Sequence, residues 1–258
     1  MHAMAWTKTY DGAEPQRVNK WLAQAGVCSR REAEGLIAQG LVRVDDEQVD
    51  DPGRKILPGQ TLTLLDRAEL QLGAAISVVI HKPVGIVSAQ PEGDQIPAAR
   101  LLTRQNLWGG EAPIPDSRAS LPALGRLDMD SRGLLLLSED GVLAKALIGP
   151  ETEIDKEYLV LVEGRITEEK ISLLRHGLSL DGKQLRPAQV DLIGEQRLRF
   201  VLKEGRNRQI RRMCELVTLD VLDLFRVRIG PVDIGDLPEN CWRPLAPAER
   251  AALIAASR

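Results

Sequence analysis

Aromatic side chains are scarce, with two Phe, two Tyr and four Trp in 258 residues. So few rings argue against a binding face of several stacked aromatics, as in RRM or single-strand-binding OB domains. Cysteine is scarcer still. Cys28, Cys214 and Cys241 stand far apart, at neither metal-ligand nor redox spacing, and an odd count fits a reducing cytoplasm better than a disulfide framework. His2, His81 and His176 are equally scattered, so no metal site is expected. No run of Leu, Ile and Val exceeds the length of Leu134–Leu137, far short of the ~18 to 20 residues that cross a bilayer. Met1-His2-Ala3-Met4-Ala5-Trp6 has neither a basic nor an apolar signal region, so secretion is not expected. An excess of one charge is missing too. Lys and Arg number 34 against 37 Asp and Glu, a net −3, which excludes a uniformly basic coat but not local basic patches.

What is present is an ordinary balance of 43% hydrophobic and 28% charged residues, enough to bury a core. Residues 1–14 are polar and aperiodic and read as a flexible tail. Val18, Trp21, Leu22 and Ala25 recur at helical spacing before Gly26. Ser29 and Glu32 form a capping-box pair ahead of Ala33, Leu36 and Ile37. Short strands follow at 41–44 and 61–64, which gives a small unit over 15–66, a linker at 67–76 and a larger domain over 77–250, with 251–258 a C-terminal tail. In the larger domain, apolar segments at 77–80, 134–137, 158–162 and 198–202 read as strands, with helices at 140–148 and 167–176. Residues 103–120 are rich in Gly, Pro and polar groups and read as a loop. There is no regular βαβ rhythm and no Gly-rich phosphate loop, so the expected fold is α+β with a mixed, mainly antiparallel sheet and no cofactor.

Charge concentrates in two places. Between Arg17 and Arg43 five basic residues face two acidic ones. This is either a solvated helix face or a phosphate-contacting surface in which Lys20, Arg30 and Arg31 meet RNA, Ser29-Arg30-Arg31 lying at a helix N-terminus. From Lys203 to Arg212 there are five basic residues and one acidic, a density that suits an RNA backbone. Asp128 and Asp130, before the apolar run, read either as a general acid/base pair or as turn residues.

Longer segments add specificity. Arg17-Val18-Asn19-Lys20-Trp21-Leu22, Gly26 to Glu34 and Gly40-Leu41-Val42-Arg43-Val44 resemble an S-four-type RNA-binding domain. Gly125-Arg126-Leu127-Asp128, followed by Asp130-Ser131 and Gly133-Leu134-Leu135, resembles the active-site motif of pseudouridine synthases of the RsuA/RluB/RluF group. His81-Lys82-Pro83-Val84-Gly85, Lys156-Glu157-Tyr158-Leu159-Val160 and Gly205 to Cys214 resemble three further motifs of that group in the same order. Within it they are nearest the RluF branch, which acts on large-subunit rRNA. His81 stands where Asn is usual, and 104–120 looks like an insertion.

The resemblance implies isomerisation of uridine to pseudouridine in ribosomal RNA, most closely 23S rRNA, in the cytoplasm, by a monomer without metal, cofactor or membrane contact. The alternatives are the same chemistry on tRNA or small-subunit rRNA, or a non-catalytic RNA-binding or ribosome-assembly protein. Asp128 would be the catalytic carboxylate and Tyr158 would stack on the base and take a proton late in the reaction. Arg211 would pair with Asp128, and Arg126 would hold the nucleotide flipped out of its stack. Lys82, Arg206, Arg208 and Arg212 would also contact RNA, and Lys156 is expected at the sheet edge.

Overall fold

The computed structural model describes residues 6–115, 121–150 and 152–257. The chain divides into two units: residues up to Ile76 with Ser138–Lys145, and Ser77–Leu137 with the residues from Ala146 on.

The first unit comprises β1 (Thr7–Thr9), β2 (Gln16–Arg17), α1 (Val18–Gln24), α2 (Arg30–Ala38), β3 (Val42–Val44), β4 (Glu47–Gln48), β5 (Lys55–Ile56), β6 (Thr61–Leu64) and α3 (Asp66–Gly73). Its main sheet runs β1-β6-β3-β4, with β2 and β5 paired separately. The capping box at α2 is formed. The Glu32 N–H donates to Ser29 Oγ at 3.2 Å and the Ser29 N–H donates to Glu32 Oε2 at 2.6 Å, which satisfies two otherwise orphaned helix donors. α2 then turns Ala33, Leu36 and Ile37 into the core, where Val18, Leu22, Ile56 and Leu62 also lie.

Two segments expected to lack structure carry it. Thr7–Thr9 pairs with Thr61–Thr63, flanked by Trp6, whose ring lies 6.0 Å from Trp21, and Tyr10, 5.5 Å from the same ring. All three β1 side chains are exposed, so the strand is held by main-chain bonds and by the Thr7–Thr63 and Thr9–Thr61 hydroxyl pairs, and shows no apolar alternation. The linker is similarly ordered. α3 covers most of it and buries only Ala68, too little to leave a helical stripe in the sequence.

The second unit centres on a nine-stranded sheet. In chain order the elements from Ser77 on are β7 (Ser77–Lys82), β8 (Ala123–Leu124), β9 (Arg132–Ser138), α4 (Gly141–Ile148), β10 (Lys156–Glu163), α5 (Glu168–Arg175), β11 (Ser179–Leu180), β12 (Lys183–Gln184), β13 (Gln189–Gly194), β14 (Arg197–Leu202), α6 (Gln209–Leu216), β15 (Asp220–Ile229), β16 (Val232–Asp233), β17 (Trp242–Pro244) and α7 (Pro247–Ala256); of these, Ser138 and the first five residues of α4 belong to the first unit. The strand order is β13-β14-β10-β15-β9-β7-β17, with β16 on β15 and β8 on β9. β15 runs parallel to β9 and antiparallel to β10, so the sheet is mixed and the fold α+β. β10 alternates buried and half-buried residues, and Tyr158, Val160 and Val162 join Leu198, Phe200, Ile210 and Met213 in the core.

Residues 251–256 of the expected C-terminal tail belong to α7, which runs through residue 250 and buries Leu253. Its start is fixed by Pro247 at the first turn and by Glu249, whose carboxylate accepts the Ala246 N–H at 2.9 Å. Residues 103–115 form turns and loop apart from a single bridge between Leu107 and Trp242; 116–120 of the expected insertion lie outside the described residues. Among those residues no helix is long and apolar enough to cross a membrane.

Candidate active site

Asp128 sits in the turn from β8 into β9. The Ser131 N–H donates to Asp128 O at 3.1 Å and the Gly85 N–H donates to Met129 O at 2.8 Å. Ser88 grips the residue before it: its Oγ donates to Leu127 O at 2.6 Å and accepts the Leu127 N–H at 2.8 Å. Leu127 is buried while the Asp128 side chain stays about one-third exposed. The turn and the catalytic readings of Asp128 are therefore compatible: main-chain bonds fix the turn and leave the carboxylate free.

The carboxylate opens into a cavity of about 550 Å³ that is also lined by Arg126, Lys156, Tyr158, Arg208 and Arg226. That volume lies within the usual range for small-molecule pockets and suits one extruded nucleotide. Tyr158 is buried on β10 directly opposite Arg226 on β15, and the Arg226 guanidinium carbon lies 6.0 Å from the tyrosine ring centre.

The arginines are arranged differently from expectation. Arg211 makes no ion pair with Asp128 among the described residues. Its Nε lies 3.3 Å from Asp130 Oδ2, and its terminal nitrogens donate to Asp130 O at 2.7 Å and Val221 O at 3.1 Å. The cation nearest Asp128 is Arg208, whose Nη1 is 3.9 Å from Oδ2, and Arg208 holds Asp130 at 3.1 and 2.9 Å. α6 explains the exchange: it starts at Gln209, and Arg208 before it adopts a left-handed conformation (φ 48°, ψ 34°), a costly choice for a residue with a Cβ. Burial opposes ionisation of Asp130, but the Arg208 hydrogen bond and the charges of Arg211 and Arg208 outweigh it and hold the carboxyl below its usual range.

Other expected RNA contacts divide. Lys20, Arg30, Arg31, Arg126 and Arg208 are exposed. Arg212 is paired with Asp181 at 3.0 and 2.6 Å, an exposed pair that RNA phosphate can replace at little cost. Arg206 is committed to the protein, its guanidinium donating to the carbonyls of Leu180, Lys183 and Gln184. Lys82 is a correction: it is completely buried, with Nζ donating to Pro83 O and Ile86 O at 2.7 Å each. β7 lies inside the sheet, so its last residue points into protein rather than toward RNA, and burial lowers the Lys82 pKa to about 8.

Lys156 is a correction as well. β10 pairs with both β14 and β15, which places Lys156 on a central strand and its side chain against the cavity. Arg226 was not singled out in the sequence. Its one signal was alternation with Leu224 and Arg228 in Leu224-Phe225-Arg226-Val227-Arg228, which puts a guanidinium in register with a core residue. Burial pushes the Cys28 and Cys214 thiols up to about 12, so neither is a nucleophile at neutral pH.

A half-exposed carboxylate, a buried tyrosine and a ring of cations around one nucleotide-sized cavity suit rearrangement of a base on its sugar. Two families match the chain: S4 domain over residues 16–62 and RNA pseudouridylate synthase over residues 76–216. The dual-specificity RNA pseudouridine synthase RluF of Escherichia coli is 33% identical over 90% of this chain and 76% of its own length. Ribosomal large subunit pseudouridine synthase B of Bacillus subtilis is 31% identical over 91% of this chain and 93% of its own. A crystal structure of a pseudouridylate synthase shares the fold, with a TM-score of 0.63 over 92% of this chain and 99% of that one at 23% identity. The chain therefore belongs to the RNA pseudouridylate synthase family and carries an N-terminal S4 domain.

Proposed function

We propose that this protein isomerises a uridine of large-subunit ribosomal RNA to pseudouridine in the cytoplasm, with Asp128 as the essential carboxylate and Tyr158 as the group that meets the base. The observation that carries this reading is the opening of Asp128 and Tyr158 into one cavity rimmed by Arg126 and Arg208. Similarity to the large-subunit enzyme of B. subtilis supports the choice of RNA.

The reaction breaks the C1′–N1 bond, turns the uracil and joins its C5 to C1′. It needs a carboxylate at the sugar, a surface against the base and a means of keeping the nucleotide out of its stack. Asp128 supplies the first, held ready by the Ser88 and Ser131 contacts. Tyr158 supplies the second and is placed to take the C5 proton. Exposed Arg126 supplies the third, entering the gap left in the RNA. Lys20, Arg30 and Arg31 of the S4 domain hold RNA phosphates.

The test is tritium release from transcribed large-subunit rRNA labelled at uridine C5, followed by mapping of the modified position, with small-subunit rRNA and tRNA in parallel. Release from the large-subunit transcript alone is expected. Release from tRNA alone would replace the substrate, and no release from any of the three would reduce the protein to an RNA binder.

A further inference from the structure

Two cations lie beneath the cavity without a carboxylate in ion-pair contact among the described residues. Arg226 is 1% exposed and Lys156 8% exposed. The guanidinium donates only to main-chain carbonyls, from Nε to Leu134 O at 2.7 Å and from Nη2 to Gly125 O at 2.8 Å. The ammonium donates to Ile154 O at 3.1 Å. Among the described residues neither has a carboxylate oxygen within 4.0 Å, whereas on the same sheet Arg132 is matched to one carboxylate and Arg199 and Arg228 to two each. A buried cation without an ionic partner is costly, and two on one cavity wall repel each other: burial lowers the Lys156 pKa and the charge of Arg226 lowers it further, against a smaller opposing pull from Asp155.

Their position is set by register. Lys156 and Tyr158 point to the same face of β10, and Tyr158 stands opposite Arg226 across the β10–β15 pair. All three line the cavity, so a base against the Tyr158 ring has the two cations beside it. An uncharged uracil has little use for them. When C1′–N1 breaks, however, the bonding electron pair leaves with N1 and spreads onto O2 and O4, so the detached base is an anion until C5 bonds to C1′. The C5 proton then leaves, N1 takes up a proton, and the net change is an isomerisation.

We propose that Lys156 and Arg226 form a cationic floor that stabilises the uracil anion released when the C1′–N1 bond breaks. The inference rests on the uridine-isomerising reading above and assigns its leaving-group chemistry. Preorganised charge in a partly dry site acts where charge develops.

Arg226 also ties two strands and a turn together, so Lys156 carries the test, as Lys156→Met and Lys156→Arg in the full chain. Single-turnover rates at saturating RNA are compared on large-subunit rRNA transcribed with uridine or with 5-fluorouridine. Fluorine withdraws electrons, makes the departing base less basic and blocks the final loss from C5, so the rejoined C-glycoside is followed by mass spectrometry after nuclease digestion. Lys156→Met is expected to lose roughly 100-fold on uridine RNA and clearly less on 5-fluorouridine RNA, while Lys156→Arg keeps most of the rate. Equal losses on both RNAs, or a loss confined to RNA affinity, would overturn the proposal.

A second arm needs no RNA. The free base 5-nitrouracil is an anion at neutral pH and uracil is not. Wild-type protein should prefer the anion in ligand-observed NMR, and Lys156→Met should lose that preference; wild-type protein without a preference overturns the floor. If wild-type protein fails to turn over the uridine transcript, the rRNA reading fails, and this arm decides the cationic floor by itself.

Discussion

Arg208 holds Asp130 with both terminal nitrogens, at 3.1 and 2.9 Å, while standing 3.9 Å from Asp128. Asp130 also takes Arg211 Nε at 3.3 Å. A carboxylate two residues beyond the proposed catalytic carboxylate thus anchors both arginines, and the two are anchored differently. The Arg208 side chain is 44% exposed and that of Arg211 14%.

Arg208→Met and Arg211→Met should therefore fail in different ways. Loss of Arg208 removes an exposed pair, which costs no more than about 1 kcal/mol of stability, but takes away the cation nearest Asp128, so the single-turnover rate at saturating RNA should fall. Loss of Arg211 leaves the Asp130 and Val221 carbonyls without their charged donor, and stability should fall by about 1.5 to 3 kcal/mol along with the rate. Urea melts and single-turnover kinetics on both variants separate the two; equal destabilisation would mean that the two anchors are equivalent.

Asp128→Asn keeps the shape of the side chain and removes its charge. Because the side chain is about one-third exposed, stability should stay within about 1 kcal/mol of wild type. Tritium release should drop on the order of 10⁴-fold or more, as when an essential member of a catalytic unit is removed. Substantial turnover by the purified variant would take Asp128 out of that role.

The triple substitution of Lys20, Arg30 and Arg31 by Ala should weaken RNA binding and flatten its salt dependence. Three lost phosphate contacts reduce the slope of log K against log salt by about two to three. All three side chains are exposed, so the melting curve should not move. An unchanged slope in filter binding across a salt series would assign the anchor elsewhere.

Lys82 makes stability depend on pH. Burial lowers its pKa in the folded protein from 10.5 to about 8. Below about 8 both folded and unfolded chains hold the proton, and the full cost of burying the charge is present. Between about 8 and 10.5 the folded protein releases the proton while the unfolded chain keeps it, so that cost shrinks. Stability of wild type relative to Lys82→Met should rise when urea midpoints are compared at about pH 7 and pH 9.5; a fall would contradict the lowered pKa.

Gly133 is the point of close approach between β9 and β15. Its φ is +112°, and an added Cβ would lie 2.3 Å from Arg226 O and 2.7 Å from Arg226 N. Both contacts are to backbone that cannot swing away, so Gly133→Ala should destabilise by about 3 kcal/mol or more. It should also displace Arg226 and depress activity in whatever protein remains folded, as thermal melts and tritium release can show.

Much of the architecture was legible because local patterns and tertiary environment agree. Ser29 and Glu32 mark a helix start that the structure forms, and the apolar runs at 77–80, 134–137, 158–162 and 198–202 all lie in strands. β15 was harder to see. Asp220-Val221-Leu222-Asp223-Leu224 alternates imperfectly, and its place between β9 and β10 comes from partners distant in sequence. β1 and α3 were missed for the opposite reason: each buries too little side chain to leave a periodic trace.

The same division runs through the site. Asp128, Tyr158 and Arg211 were marked by the resemblance of their segments to family motifs, and the basic run from Lys203 to Arg212 by its charge density, both of which are carried by short stretches of chain. Their pairing was not marked. Whether Arg208 or Arg211 faces Asp128 depends on the left-handed backbone at Arg208 and on where α6 begins. That Lys82 is interior, and that Lys156 and Arg226 flank Tyr158, depends on strand order and register. Chain chemistry and short-range periodicity decide which residues can carry charge, cap a helix or enter a core. Which charges meet is decided by the β9–β15–β10 pairing, because a register brings together residues far apart in the chain, such as Tyr158 with Arg226 and Gly133 with Arg226, that no local pattern connects.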